Sequence, residues 1–135
     1  MLTTILLVEN HDCLRQSLRD WLETNFSDCR VIEAASGQEA LTIARANSLS
    51  LVVMEIDALG MNGLDVLKRI KGIMPTTQIV VLTVLDDDAH RAHAIATGAK
   101  AYVSKTNVLT DLQPALAGLL IPQTEPDGHQ KIHYY

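Results

Sequence analysis

The fold is decided by the stretch LSLVVMEIDALGMNGLDVL, residues 49–67. Its first six residues are apolar apart from Ser50, which predicts a strand buried in a parallel sheet. A carboxylate, Glu55, stands where the apolar run ends, and a turn over 60–63 leads into an amphipathic helix over 64–71. Ligands of open α/β sheets bind at the carboxyl ends of the strands. The sequence therefore predicts a functional site around Glu55.

Apolar strands and amphipathic helices alternate in the same way along most of the chain. Five strands are predicted, at 3–8, 30–35, 49–55, 78–83 and 101–104. Five helices are predicted to follow them, one after the polar segment 9–12 and the others at 38–46, 64–71, 89–97 and 111–121. This alternation is typical of an α/β fold in which helices cover both faces of one parallel sheet. We therefore expect a single domain with a doubly wound sheet.

Local signals predict where several helices begin and end. Asp12 or Asn10 is placed to cap the first helix, and residues 36–39 have the pattern of a capping box. Gly98 is expected to stop the fourth helix. Pro114 falls inside the last predicted helix, so we expect the first turn of that helix to be irregular.

Composition limits the classes of function. The chain has 135 residues, of which 47% are hydrophobic and 20% charged, as expected for one globular domain. Its net charge of −5 argues against nucleic-acid binding by this chain itself. The two cysteines, Cys13 and Cys29, form neither a metal motif nor a disulfide framework. The sequence also contains no pattern of a signal peptide or of a bilayer span, so we expect a cytoplasmic protein.

The last residues differ in composition from the rest. Residues 122–135, PQTEPDGHQKIHYY, are polar and contain proline and glycine. This shift predicts a folded domain over 1–121, followed by a linker or disordered tail over 122–135. The tail stands where a linker to an output domain would begin.

Polar side chains follow four of the predicted strands. Glu9 and Asn10 follow the first, Glu55 ends the third, Thr83 ends the fourth and Lys105 follows the fifth. Carboxyl ends of parallel strands meet at one edge of a sheet, so these groups are expected to converge. Together they could bind an anion or a metal ion, or hold a buried ion pair. Taken singly, each is weak evidence: Lys105 is more typical of a solvated rim residue, and Thr83 of a helix cap or a strand-end hydroxyl.

Four stretches of the chain resemble the successive motifs of bacterial response-regulator receiver domains. They are LLVENHDCLRQSL, LVVMEIDALGMNGLDVL, IVVLT and GAKAYVSK, and the resemblance runs from about Ile5 to Ile121. It implies a flavodoxin-like (βα)5 fold with strand order 2-1-3-4-5. It also implies a part in two-component, or phosphorelay, signal transduction.

The resemblance implies a role for each strand-end residue. In receivers, an aspartate that ends the third strand accepts a phosphoryl group from a histidine kinase, and a Thr or Ser and a Lys contact the phosphoryl oxygens. Thr83 and Lys105 match the last two. Tyr102 matches the aromatic residue that moves with the threonine on activation. Glu55 stands at the phosphoacceptor position, where the family has aspartate.

The same resemblance implies a magnesium site, which this sequence alters. The corresponding ligands are Glu9, Asn10, Glu55 and the backbone carbonyl of Asp57, and Asn10 replaces an acid. Both remaining acids are longer by a methylene, about 1.5 Å. A displacement of ~1 Å can cost on the order of 10²-fold in a positioned reaction. We therefore expect weak Mg²⁺ binding and poor phosphoryl acceptance, with no other cofactor.

Two interpretations of Glu55 remain open. In the first, its longer side chain reaches Lys105, and Thr83 as well, and imitates part of the charge of a phosphoryl group, which biases the receiver towards its active conformation. Thr83 turned away from Glu55, with Tyr102 outward, would count against this interpretation. In the second, Glu55 and Lys105 form a plain buried ion pair in a retired site.

The resulting prediction is an atypical receiver that signals by protein interaction, independently of phosphorylation, and is not an enzyme. Its expected partners are a sensor histidine kinase or another signalling protein. A second copy is also expected to dock on the face formed by the fourth helix, fifth strand and fifth helix. The alternative is a phosphorylatable, Mg²⁺-dependent receiver with self-dephosphorylation, forming the N-terminal half of a helix-turn-helix transcriptional regulator.

Overall fold

The computed structural model describes residues 3–56, 62–85 and 87–120. The strands are β1 (Thr3–Val8), β2 (Cys29–Ala34), β3 (Leu51–Met54), β4 (Gln78–Thr83) and β5 (Ala101–Ser104). The helices are α1 (Asp12–Asn25), α2 (Gly37–Ala46), α3 (Gly63–Ile73), α4 (Asp88–Thr97) and α5 (Val108–Leu120), the last preceded by a 3₁₀ turn over Lys105–Asn107. The predicted backbone ligand Asp57 and the predicted tail over 122–135 lie outside the described residues. The boundary of the domain therefore stays a prediction.

All five strands run parallel, in the order β2-β1-β3-β4-β5. This confirms the predicted flavodoxin-like fold and its strand order. β1, β4 and β5 have the predicted bounds, whereas the ends of β2 and β3 differ from the prediction by one or two residues. β3, for example, is shorter than the predicted 49–55, but the N–H groups of Ser50 and Glu55 still donate to the carbonyls of Thr4 and Val8.

Alternate residues along each strand enter opposite hydrophobic cores. In β3, Val52 and Met54 pack beneath α2, α3 and α4, whereas Leu51 and Val53 pack beneath α1 and α5. This is the double coverage expected of a wholly parallel sheet. Within the described ranges the longest helix has 14 residues, and no helix there is long and apolar enough to span a bilayer.

The cap of α1 corrects the sequence prediction. Neither Asn10 nor Asp12 caps this helix. Instead, Nδ1 of His11 accepts a hydrogen bond from the N–H of Leu14 at 3.4 Å. Asp12 is already the first helical residue, and its carboxylate pairs with Arg15 at 2.9 Å. The prediction was wrong because the helix begins at Asp12, which leaves residue 11 in the capping position.

Other helix ends behave as predicted. Oγ of Ser36 accepts from the N–H of Glu39 at 3.1 Å, and a carboxylate oxygen of Glu39 accepts from the N–H of Ala35 at 3.4 Å. Gly98 ends α4 with φ of 131° and donates its N–H to the carbonyls of Ala94 and Ile95. A positive φ at this position is easily adopted only by glycine.

The start of α5 also differs from the prediction. Oγ of Ser104 accepts from the N–H of Thr106 at 3.3 Å and opens the 3₁₀ turn, so the helical path begins before residue 111. Pro114 therefore lies well inside a continuous α5. Its ring nitrogen costs the helix one backbone hydrogen bond, but the first turn is regular.

Gly63 fixes α3 against the chain that follows β3. A Cβ at this position would lie 2.3 Å from the carbonyl oxygen of Ile56, the residue after Glu55. Only glycine permits so close an approach of the two backbones. Oδ1 of Asn62 accepts from the N–H of Leu64 at 2.9 Å and caps the same helix.

Candidate functional site

Three charged side chains meet at the carboxyl edge of the sheet. Nζ of Lys105, after β5, lies 2.6 Å from Oε2 of Glu55, after β3. It also donates hydrogen bonds to Oε1 and Oε2 of Glu9, after β1, at 2.9 and 3.0 Å. Glu9 and Glu55 are 1% and 2% exposed, and the side chain of Lys105 is 18% exposed. We call this group the ion cluster.

The charge of the ion cluster explains the protonation of its lysine. Burial opposes the charged ammonium, but the hydrogen bonds and Coulomb attraction of Glu55 and Glu9 outweigh it and raise the pKa of Lys105. Two carboxylates share one ammonium, so the cluster carries one excess negative charge when all three groups are ionised. Buried charges are tolerated only when paired and hydrogen-bonded. Lys105 is therefore a cation that both acids share.

Backbone contacts place the two acids next to each other. The N–H of Glu9 donates to the carbonyl of Ala34 at 3.0 Å, and the N–H of Glu55 donates to the carbonyl of Val8 at 2.9 Å. Each acid therefore continues the hydrogen-bond ladder of its strand. Nη1 of Arg15 donates to the carbonyl of Glu9 at 2.8 Å. Arg15 itself pairs with Glu33 at 3.3 Å. These contacts fix the chain on both sides of Glu9.

Thr83 and Tyr102 contact the loop between β4 and α4. Oγ1 of Thr83 accepts a hydrogen bond from the N–H of Leu85 at 3.2 Å. The hydroxyl of Tyr102 donates to the carbonyl of the same residue. Thr83 is fully buried and Tyr102 is only 2% exposed, so the aromatic ring points inward. The two predicted switch residues therefore hold the two backbone polar groups of Leu85.

The structure brings together some of the predicted site residues and separates others. Glu9, Glu55 and Lys105 form the ion cluster, whereas Thr83 and Tyr102 are joined through Leu85. Asn10 is solvent-exposed. The roles that the resemblance assigns to these residues stay predictions.

Magnesium fits the described residues poorly. Both oxygens of Glu9 and one of Glu55 already contact the ammonium of Lys105. Over residues 3–56, 62–85 and 87–120, no three His, Cys, Asp or Glu side chains are grouped so that they could hold a metal ion. A cation at this site would have to displace Lys105 from the carboxylates.

Sequence reasoning missed three contributors to the site. Arg15 lies among other charged residues on the polar face of α1, and nothing in its spacing singles out a contact with a backbone carbonyl. Leu85 acts only through its backbone, which leaves no mark in the sequence. Nη1 of Arg91, on α4, donates to the carbonyl of Tyr102 at 3.2 Å. The two residues are 11 positions apart and belong to different elements, so helical periodicity does not relate them.

Comparison with known proteins agrees with the fold described above. Residues 5–117 match the family described as the response regulator receiver domain. The uncharacterized transcriptional regulatory protein YhcZ of Bacillus subtilis is 35% identical over 102 residues, which are 75% of this chain and 47% of YhcZ. The chain spans about half the length of the curated relatives it matches.

Solved structures share the fold. The response regulator receiver domain protein of Clostridium thermocellum superposes with a TM-score of 0.78 at 27% identity, covering 88% of this chain and 94% of that one. A DNA-binding response regulator of the LuxR family from Staphylococcus aureus gives a TM-score of 0.79 at 21% identity, covering 87% and 98%. The chain belongs to the response-regulator receiver domain family of two-component signalling.

Proposed function

We propose that this receiver domain is a protein-interaction module that signals without accepting a phosphoryl group. The observation that carries the proposal is the ion cluster, in which the ammonium of Lys105 contacts both Glu55 and Glu9. By the resemblance to receivers, this lysine is the cation directed at phosphoryl oxygens. In this structure the ammonium of the lysine instead contacts two carboxylates of the protein itself.

The state of Glu55 argues against attack on a phosphoryl donor. Oε2 of Glu55 is paired with Lys105 at 2.6 Å and the residue is 2% exposed, so the pair has to open before that oxygen can react. The side chain is also one methylene longer than aspartate, which misplaces the nucleophile. Weak Mg²⁺ binding removes the ion that would offset the charge of an incoming phosphate. On these grounds we propose that the domain is not an enzyme.

The orientation of Tyr102 supports an active-like arrangement. The ring is buried and its hydroxyl donates to Leu85, in the loop that leads into α4. An outward ring would have counted against imitation of a phosphoryl group by Glu55. Thr83 contacts the same residue, because its hydroxyl accepts from the N–H of Leu85, so both predicted switch residues bind this loop. We therefore propose that Tyr102 holds this orientation without phosphorylation.

The partner surface that we propose is the face of α4, β5 and α5. Ile95 on α4 is 45% exposed, an apolar group on a helix that otherwise presents polar residues and alanines. A sensor histidine kinase, another signalling protein or a second copy of this chain is the proposed partner, in the cytoplasm.

The lengths of the curated relatives favour a second possibility, in which this domain is one part of a longer regulator. YhcZ is named as a transcriptional regulatory protein, and the Staphylococcus aureus structure is that of a DNA-binding response regulator. We propose that any DNA binding belongs to a separate domain, because this chain carries a net charge of −5.

Incubation with Mg²⁺ and either beryllofluoride or acetyl phosphate tests the main proposal. Intact mass and amide NMR spectra of the wild type are expected to stay unchanged. The double variant Glu55→Asp with Asn10→Asp shortens the acceptor and restores an acid, and its spectra are expected to shift with Mg²⁺ and beryllofluoride. A receiver with an aspartate at the acceptor position serves as the positive control for the reagents.

A stoichiometric, Mg²⁺-dependent adduct on the wild type would overturn the proposal. It would show that the domain is a working phosphoacceptor. Mapping the adduct by peptide mass spectrometry would then distinguish Glu55 from Asp57.

A further inference from the structure

We propose that Arg91 of α4 is the residue that holds Tyr102 inward, so that the aromatic ring keeps its position without a phosphoryl signal. The inference rests on the proposed function, because it names what maintains the arrangement of α4 and β5. Arg91 acts on Tyr102 and not on the ion cluster, and is therefore a positioning residue.

Arg91 contacts Tyr102 in two different ways. Nη1 donates to the backbone carbonyl of Tyr102 at 3.2 Å. The guanidinium carbon also lies 5.0 Å from the centre of the tyrosine ring, which places the cation over the ring face. The planar guanidinium can make both contacts at once, which a lysine ammonium on a flexible stem does less well. Backbone and ring of one residue are thus held by one side chain.

The hydroxyl end of the ring is held separately. The hydroxyl of Tyr102 donates to the carbonyl of Leu85. An outward rotation of the side chain would therefore break two contacts together, this hydrogen bond and the packing of the Arg91 guanidinium on the ring face. The backbone bond to Arg91 would survive the rotation, since it involves the carbonyl alone. Arg91 therefore stays close to Tyr102 in either orientation and favours the inward one through the ring face.

The arginine starts from a fixed turn of helix. Oδ1 of Asp87 accepts from the N–H of His90 at 2.8 Å and caps α4, and the carbonyl of Asp87 accepts from the N–H of Arg91 at 3.1 Å. Nδ1 of His90 also lies 2.5 Å from Oδ2 of Asp87. The first turn of α4 thus fixes the base of the arginine side chain.

Little apolar packing competes with this contact. Among the residues of α4, all of which the structure describes, Ala94 alone is buried. In the sheet formed by the described residues, β5 is the last strand and pairs with β4 alone. The contact between Arg91 and Tyr102 therefore joins α4 to the last strand of the sheet.

¹⁹F NMR of the full chain labelled with 3-fluorotyrosine tests the inference. The chain has three tyrosines, and the signal lost in Tyr102→Phe is that of Tyr102. Broadening by a soluble gadolinium chelate measures the exposure of each ring. The wild type is expected to show a protected Tyr102, and Arg91→Ala a several-fold larger broadening of that signal. Arg91→Lys is expected to fall between them, because it keeps the cation but not the planar donor.

A matched control is Arg69→Ala, which removes an exposed arginine from α3. It is expected to leave the Tyr102 signal unchanged. Far-UV circular dichroism shows whether α4 stays folded, and Arg91→Gln provides a second variant that keeps a donor for the carbonyl while removing the cation. If α4 unfolds in Arg91→Ala, the comparison of Arg91→Gln and Arg91→Lys decides, with larger exposure expected in Arg91→Gln.

Two results separate this inference from the proposed function. A Tyr102 signal equally protected in the wild type, Arg91→Ala and Arg91→Gln would overturn the role of Arg91 and leave the proposed function intact. A wild-type signal that moves with Mg²⁺ and beryllofluoride would overturn the proposed function, whatever the arginine variants do. A wild-type ring that is fully accessible to the chelate would overturn the role of Arg91 and the proposed active-like orientation of Tyr102, but not the proposal that the domain accepts no phosphoryl group.

Discussion

Oε2 of Glu55 lies 2.6 Å from Nζ of Lys105, although the two residues belong to strands β3 and β5 that are separated in the sheet by β4. The lysine side chain crosses the end of β4 to reach the acid and then contacts Glu9 beyond β1's end as well. One ammonium thus connects three strands at their carboxyl ends. Under the proposed function, this ammonium is held by the carboxylates of Glu9 and Glu55 and does not contact a phosphoryl group.

Replacing the lysine is expected to destabilise the fold. In Lys105→Met, two buried carboxylates lose the cation that they share, and breaking a buried pair costs about 3–5 kcal/mol. The side chain of Lys105 is 18% exposed, so we expect a loss near the lower end of that range. Urea denaturation followed by the fluorescence of Trp21, the single tryptophan, measures it.

Lys68→Met, on the exposed face of α3, is the control and is expected to change the free energy of unfolding very little. Equal losses in the two variants would mean that the ion cluster contributes nothing beyond an ordinary surface lysine.

The ion cluster also predicts a dependence of stability on alkaline pH. The pKa of Lys105 is raised above its ordinary value of 10.5. A raised pKa means that the stabilisation is fully present below the pKa of the unfolded chain and is lost as pH rises through the folded value. The wild type should therefore keep its advantage over Lys105→Met from neutral pH to about pH 10. Above that, the two urea midpoints should converge, and an advantage that persisted unchanged would argue against a charged Lys105.

The two acids are expected to substitute for each other. Glu9→Gln or Glu55→Gln alone leaves one carboxylate for one ammonium, so each should cost no more than about 1 kcal/mol. The double variant removes both of the acids that contact Lys105 in the described part of the chain, and should lose more than the sum, by roughly 1–3 kcal/mol of coupling. A double-mutant cycle in urea measures this term. Strict additivity would show that each acid acts on its own surroundings and not through the shared lysine.

The convergence of Glu9, Glu55 and Lys105 follows from features that the sequence carries. Each residue comes directly after an apolar run, and the parallel order of the strands brings their ends to one edge. The reach of Glu55 to Lys105 was likewise expected from its extra methylene. What the sequence did not reveal is that Glu9 shares the same ammonium, since the choice of partner depends on side-chain rotamers at the assembled edge.

The contacts around Tyr102 were beyond prediction for a different reason. Arg91 contacts the ring face and the backbone carbonyl of Tyr102, and the hydroxyl of Tyr102 donates to the backbone carbonyl of Leu85. Every residue type has a backbone carbonyl, so the sequence does not show which carbonyl is used. The predicted cap of α1 was wrong for a local reason. The helix begins at Asp12, so the capping position is occupied by His11. Hydrophobic periodicity thus predicted the helices and strands, whereas the side-chain contacts with backbone groups could be identified only from the structure.

The two glycines of α3 are expected to respond to alanine in opposite directions. At Gly63 a Cβ would lie 2.3 Å from the carbonyl oxygen of Ile56, so Gly63→Ala has to push α3 away from the chain after Glu55. Overpacking of this kind typically costs about 1–3 kcal/mol. At Gly72 a Cβ would meet nothing within 4 Å, and alanine should stabilise the helix by roughly 0.5–1 kcal/mol.

Thermal and urea unfolding of the two variants under identical conditions measure both effects. Gly63→Ala is also expected to alter the amide NMR signals of Glu55 and Lys105, because the shift of α3 is transmitted to the backbone next to the ion cluster. Gly72→Ala should leave those signals in place, since it lies near the far end of the same helix. If Gly63→Ala were as stable as the wild type, or if the two variants disturbed the cluster equally, the close packing of α3 on Ile56 would not be what positions Glu55.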